Sequence, residues 1–166
     1  MTAPFEIKLY FAYTSPYSYL AFAPACALEQ SHRVRVRFIP YGINIRKVYG
    51  DVDRAEVDQR KVRYLYLDAR RIAKERGVVI HPPKKIYSAR LAFYGGLYAD
   101  QQGQFREYSA RVFERFWKRE LEVDVRDAIG AVVAEVGLDR ADFERYVDSG
   151  APGWRGSRSS GATRWR

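Results

Sequence analysis

Between Ile7 and Tyr13 apolar and other residues alternate, Ile7, Leu9, Phe11 and Tyr13 against Lys8, Tyr10 and Ala12, which predicts a largely buried strand. At Pro16 the period changes. Ser15 is a good helix N-cap, Pro16 suits the first helical position because the N–H it lacks is not needed there, and Tyr19, Leu20, Ala23 and Ala27 follow at helical spacing. A first helix therefore extends to near Gln30. From Arg33 to Pro40 the alternation returns, Val34, Val36 and Phe38 against Arg33, Arg35 and Arg37, giving a second strand with one face for a core and one for water. Strand, helix and strand in this order predict a right-handed parallel unit, with the helix packed on the sheet and its N-terminus open at the strand ends.

From Asp53 to Ser149 the periodicity is helical. Val62, Leu65, Tyr66, Ala69, Ile72 and Ala73 recur at steps of three and four between Glu56 and Arg76, and Gly77 stands where such a helix would stop. His81-Pro82-Pro83 predicts a rigid extended link. Further helices are expected over Ile86–Tyr98, Phe105–Lys118, Asp124–Val136 and Asp139–Val147. Asp124 with Asp127, and Asp139 with Asp142, sit at the spacing of N-terminal capping pairs, and Gly137 ends the helix before Leu138. A helical block this long is more than a crossover between two strands. It reads as an all-helical domain inserted into an α/β fold, with residues 1–50 as the β-α-β unit, 51–149 as the insertion and 150–166 as a basic, disordered tail.

Composition narrows the function classes. The 166 residues fit one domain, or a small domain carrying an insertion, and 47% hydrophobic with 30% charged residues are globular values. No run approaches the roughly 18 apolar residues of a membrane span, and no basic leader precedes an apolar core, so a cytoplasmic protein is expected. The net charge of +9 suggests an anionic partner, but four of those charges belong to Arg155, Arg158, Arg164 and Arg166 in a stretch without acids. Elsewhere arginines interleave with acids, as at Glu107, Arg111, Glu114 and Arg115, which is the pattern of a solvated surface and argues against nucleic acid. Cys26 is the only cysteine and His32 and His81 stand apart, so neither a disulfide nor a metal site is expected. On the first helix Cys26 reads as a small buried thiol rather than a reactive one.

The chemistry centres on Ser15-Pro16-Tyr17-Ser18. A helix N-terminus attracts anions through its unpaired N–H groups and its dipole. Thioredoxin-like proteins place a reactive cysteine there, and Ser-Pro-Tyr-Ser has the spacing of a Cys-Pro-Tyr-Cys redox motif with both sulfurs replaced by hydroxyls. Dithiol oxidoreductase chemistry is thereby excluded at this site. The run Phe11-Ala12-Tyr13-Thr14-Ser15-Pro16-Tyr17-Ser18-Tyr19-Leu20 closely resembles the signature of the kappa-class glutathione transferases and the 2-hydroxychromene-2-carboxylate isomerases. Arg60-Lys61-x-x-Tyr64-x-x-x-Asp68, His81-Pro82-Pro83 and the aromatic helix of Phe113, Phe116 and Trp117 look like further landmarks, so the resemblance spans about Ile7 to Ser149. It implies a thioredoxin fold of the DsbA-like kind interrupted by a helical domain, with glutathione as cofactor and Ser15 hydrogen-bonding its sulfur. Ser15 is the implied catalytic residue. Pro16, Lys61 and Asp51 are the implied glutathione-binding neighbours, Asp51 standing where family members have an asparagine. The implied reaction is reversible addition of the glutathione thiolate to a conjugated aromatic carboxylate, bond rotation and elimination, or, in a kappa-like transferase, a thioether that is kept. A homodimer is the expected assembly.

Structural alternatives stand beside each assignment. Ser15 as a plain N-cap would contribute about 1 kcal/mol; Tyr17 and Tyr19 read equally as packing, Lys61 as a solvated helical charge, and the whole chain as a non-catalytic thioredoxin-like binding protein. The functional reading has the necessary magnitude. A free thiol ionises with a pKa of about 8.5, a hydrogen bond to a charged group contributes about 1.5–3 kcal/mol and a helix N-terminus about 0.3–1 kcal/mol, which together lower a bound thiol by roughly one to two pH units.

Residues 151–166 depart from the family, whose members continue with a Val-Pro-Thr strand carrying a cis-proline, a partner strand and a final helix. Gly, Ser, Arg and Trp dominate here with no alternating β-branched run, so the C-terminal part of the thioredoxin fold is expected to be missing. The shift at Gly150 fits a truncated or frame-shifted reading frame. Translating the downstream DNA in the other frames is then expected to uncover a Val-Pro-Thr segment, and its absence in all of them removes the idea.

Overall fold

A computed structural model describes residues 3–42 and 56–150, without the side chains of 56–59. Phe5–Phe11 (β1) and Val34–Pro40 (β2) pair in parallel, with Phe5 opposite Val34 and Phe11 opposite Pro40. Pro16–Ser31 (α1) connects them. Five helices follow: Glu56–Glu75 (α2), Arg90–Gln101 (α3), Phe105–Trp117 (α4), Arg126–Glu135 (α5) and Arg140–Asp148 (α6). The β-α-β unit and the helices after it are as the periodicity predicts, except that the helix expected over Ile86–Tyr98 runs from Arg90 to Gln101, because Tyr87 packs edge to face on Phe116 before the helix begins.

Three further expectations need correction. β1 begins and ends two residues earlier than the alternation suggests, because Ala12 to Thr14 form the turn into α1. Its side chains are mostly exposed or half-buried rather than largely buried, with only Phe11 fully enclosed. The reason is that, among the described residues, the sheet has two strands, so β1 is paired along one edge alone. The third correction concerns α5. Its N-cap is Val125 without a side-chain bond, and Asp124 instead pairs with Lys85 at 3.1 Å. Asp139 does cap α6, accepting from the Asp142 N–H at 2.9 Å, and Gly77 and Gly137 take the positive φ expected at helix ends. The expected missing hairpin and the basic tail concern residues 151–166, which lie outside the described residues.

One hydrophobic cluster joins the sheet to the helices. Phe11 meets Tyr13, Phe38, Phe93, Phe105 and Phe113 at centroid distances of 5.1–6.1 Å, mostly edge to face, the arrangement that opposed ring quadrupoles favour. Trp117, Phe113 and Phe116, the aromatic landmarks of α4, are all buried. At the surface Arg111 and Arg115 both reach Glu135 at 3.0 and 2.9 Å, tying α4 to α5 through exposed ion pairs that are individually weak.

Gly95 and Gly96 lie inside α3, where glycine costs about 1 kcal/mol relative to alanine. Their missing Cβ atoms explain them. A Cβ on Gly95 would stand 2.1 Å from the hydroxyl of Tyr108, which is fully buried and donates to the Ala92 carbonyl at 2.9 Å. Gly95→Ala is therefore expected to lower stability by about 1–3 kcal/mol despite alanine's better helix propensity, as read from the urea unfolding midpoint. A variant as stable as the parent would show that α3 and α4 separate freely.

Candidate active site

The turn after β1 delivers Ser15 to the start of α1. The Ser15 N–H donates to the Ala12 carbonyl at 3.0 Å, and Ser15 has extended backbone angles of φ −99° and ψ 120°, as an N-cap requires. Its Oγ accepts from the Ser18 N–H at 3.3 Å. Ser18 answers in the other direction, its Oγ accepting from the Ala12 N–H at 3.2 Å. The two hydroxyls of the Ser-Pro-Tyr-Ser box thus brace the strand end against the helix start, with Pro16 buried between them.

This bracing uses Ser15 as an acceptor. A serine hydroxyl also has one proton to donate, so the cap leaves the O–H available to an anion, and accepting an N–H polarises it into a better donor. Ser15 itself is half-buried rather than sealed beneath packed side chains. The N-cap alternative and the anion-binding reading are therefore compatible at this residue.

Two bonds latch the start of α1 to α2. The exposed Tyr17 hydroxyl donates to Asp68 Oδ2 at 2.8 Å, and the Arg76 guanidinium donates to the Leu20 carbonyl. Asp68 also takes an Arg71 N–H at 3.0 Å. The Tyr17 bond first, and Arg71 second, hold the Asp68 carboxyl below the ordinary carboxylate range. On the opposite side Tyr19 stacks on Phe113 at 5.6 Å, and burial pushes its phenol up from the ordinary value. Tyr17 is thus a polar latch where packing was the alternative, whereas Tyr19 does pack.

Of the implied glutathione neighbours, Ser15 and Pro16 adjoin at the helix start. Lys61 is exposed on α2, on the face of Tyr64 and Asp68 and roughly 10 Å along the axis from Asp68. Asp51 lies outside the described residues. The latch partner Asp68 was visible in the sequence as a landmark, but its bond to Tyr17, 51 positions away, was not. His81, the other landmark, donates its N–H to the Trp117 carbonyl at 2.9 Å and so ties the proline link to the end of α4.

Other candidate chemistry falls away from this point. Burial pushes the Cys26 thiol up, and Arg106 offsets only part of that. A groove of about 720 Å³ runs along the outer edge of β2 past Glu29, Arg35, Phe38, Phe105 and Arg106, and none of its lining residues belongs to the Ser15 turn. Among the described residues no three His, Cys, Asp or Glu side chains gather as metal ligands, and no helix is long and apolar enough to cross a membrane.

A parallel β-α-β unit whose first helix begins at a Ser-Pro-Tyr-Ser box, packed against a helical block, defines a thioredoxin-like protein without its own redox cysteines. The chain belongs to the DSBA-like thioredoxin domain family, whose model matches residues 6–153. It is 27% identical over 147 residues to 2-hydroxychromene-2-carboxylate isomerase of Pseudomonas putida, covering 87% of this chain and 72% of that protein. To the enzyme of the same name from Pseudomonas sp. strain C18 it is 28% identical over 149 residues, covering 87% and 69%. The solved structure of selenomethionine 2-hydroxychromene-2-carboxylate isomerase (HCCA isomerase) superimposes with a TM-score of 0.71 at 27% identity, covering 88% of this chain and 72% of that one.

The Tyr17 latch makes a testable statement about Asp68. A depressed carboxyl contributes stability above its ordinary pKa and loses it as pH falls through the lowered value. Tyr17→Phe removes the largest cause, so the Asp68 titration followed by carboxyl NMR is expected to move up toward that of an ordinary aspartate. An unmoved titration would mean that the bond does not form in solution.

Proposed function

We propose that this protein is a glutathione-dependent isomerase acting on a conjugated aromatic carboxylate of the 2-hydroxychromene-2-carboxylate kind. The observation that carries this reading is Ser15, whose oxygen is occupied as a cap acceptor while its proton remains to be donated at a helix N-terminus. The two relatives named as isomerases support the reaction class. The donor set fits an anionic sulfur. Ser15 would hold it, Pro16 would keep the first helical position rigid, and Lys61 on the latched helix would favour a carboxylate of the ligand or substrate by its charge. Asp51 is proposed as a further glutathione neighbour.

Glutathione, when bound, supplies the thiolate nucleophile for reversible addition to the substrate. The chain's own part is to keep that sulfur ionised. Ser15 donates a charge-assisted hydrogen bond, the α1 dipole adds a favourable field, and the Tyr17–Asp68 and Arg76–Leu20 bonds hold α1 and α2 in one arrangement. Within the same family a kappa-like transferase would use these residues identically and differ in retaining the thioether, so product analysis separates the two.

Titration calorimetry with reduced glutathione tests the proposal. Ser15→Ala is expected to weaken binding about ten- to a hundredfold, the loss of a hydrogen bond to a charged group of about 1.5–3 kcal/mol. Binding that survives Ser15→Ala unchanged removes the role proposed for the hydroxyl. No measurable binding by the parent protein, with a specific protein partner recovered instead, favours a non-catalytic thioredoxin-like binding protein.

A further inference from the structure

A proline inside a helix withholds one hydrogen bond and sets its ring against the carbonyl four residues earlier. Pro24 stands inside α1, so the carbonyl that it leaves without an N–H is that of Leu20. Leu20 is buried, and a carbonyl removed from water without a donor costs free energy. The donor comes from another element. The Arg76 guanidinium, one residue beyond the end of α2, donates to the Leu20 carbonyl. Pro24 itself is exposed, so core packing does not account for a proline at this point.

The same proline divides α1 by what holds it. Before it, Tyr17 donates to Asp68 and Leu20 accepts from Arg76, and both partners belong to the α2 segment. After it, Glu29 accepts from the Val36 N–H of β2 and from Arg106 of α4. The first part carries the Ser15 cap, about one and a half turns ahead of Leu20. A missing rung at Pro24 weakens the coupling between the two parts. The start of α1 is therefore aimed by its bonds to α2 more than by the rest of its own helix.

We propose that Arg76 is a positioning residue for the site at Ser15: it caps the Leu20 carbonyl that Pro24 opens, and so sets the direction in which the first turns of α1 present the Ser15 hydroxyl. Its action is through the α1 backbone and not on the ligand. A guanidinium suits the task, because a charged donor makes a stronger bond to a carbonyl than a neutral one. Its positive charge at the carbonyl end of this first segment also has the sign that the helix dipole favours. The effect on ligand binding rests on the function proposed for Ser15, whereas the pairing of Pro24 with Arg76 does not.

Calorimetry with reduced glutathione on the full-length chain, run over Pro24→Ala, Arg76→Met and the two together, tests the proposal. Arg76→Met alone is expected to weaken binding on the order of tenfold. With Pro24→Ala the backbone at position 24 gains an N–H for the Leu20 carbonyl, so adding Arg76→Met there is expected to change affinity by less than about twofold. A loss of equal size with and without Pro24→Ala makes Arg76 a plain charge acting on an anion and overturns the proposal, as does no loss in either. Hydrogen exchange on the same four proteins needs no glutathione and so separates this inference from the function proposed for Ser15. Arg76→Met is expected to speed exchange of the α1 amides from Tyr19 to Ala23 about tenfold relative to those after Pro24, and to leave them unchanged when Pro24→Ala is present. A parent that binds no glutathione yet shows this pattern removes the proposed function and keeps the pairing of Pro24 with Arg76. Identical exchange in all four proteins removes the pairing whatever the ligand does.

Discussion

A tyrosine hydroxyl buried beyond the reach of water must find a partner, and the structure around the strand-to-helix turn follows from how Tyr13 finds one. Its side chain is fully enclosed, and its hydroxyl shares a 2.8 Å hydrogen bond with the fully buried Ser109 of α4. Burial pushes the phenol well above its ordinary range, so it stays neutral at physiological pH. Room for that hydroxyl comes from Gly96, where a Cβ would lie 2.7 Å from it. The turn of Ala12 to Thr14 is thus pinned from below, and Ser15 two residues on is presented in a fixed position. Loss of the Tyr13–Ser109 bond would strand a polar group on each side, a cost of about 1–3 kcal/mol at each.

Most of the fold was legible because its signals are local. Alternation marked both strands, the step of three and four marked α2, and Asp139 declared its cap. What misled the reading was also local. The alternation of β1 continues through Tyr13, yet Tyr13 is buried by α4 rather than by a sheet, and period alone does not distinguish these. Asp124 and Asp127 had capping spacing, but a lysine 39 positions earlier, Lys85, competes for Asp124. A helix was expected from Ile86; it starts at Arg90, and Tyr87 instead packs edge to face on Phe116 at 5.4 Å.

The candidate site divides in the same way. Ser15 and Pro16 were legible because a cap and a first-turn proline follow from four consecutive residues. The Tyr17–Asp68 and Arg76–Leu20 bonds join residues more than fifty positions apart, and nothing in either segment names its partner. Glu29 was equally silent. Its work, accepting from the Val36 N–H, depends on a neighbouring strand and on Arg106 from α4.

The same chain contains two settings for a sulfur, and they differ in the sign of their effect on a thiolate. Cys26 sits half-buried against the core on the flank of α1, where desolvation disfavours the thiolate and Arg106, already engaged by Glu29, returns only part of that loss. At the N-terminus of α1 the balance reverses, since a hydroxyl donor and the helix dipole both favour an anion and Ser15 is only half-buried. Replacing a cysteine by serine at such a point removes a nucleophile but keeps the field that would have ionised it. Under the proposed function such a site would take a thiolate that its own side chains do not supply. It is the field at the start of α1, rather than the serine alone, on which the proposed binding of an external sulfur rests.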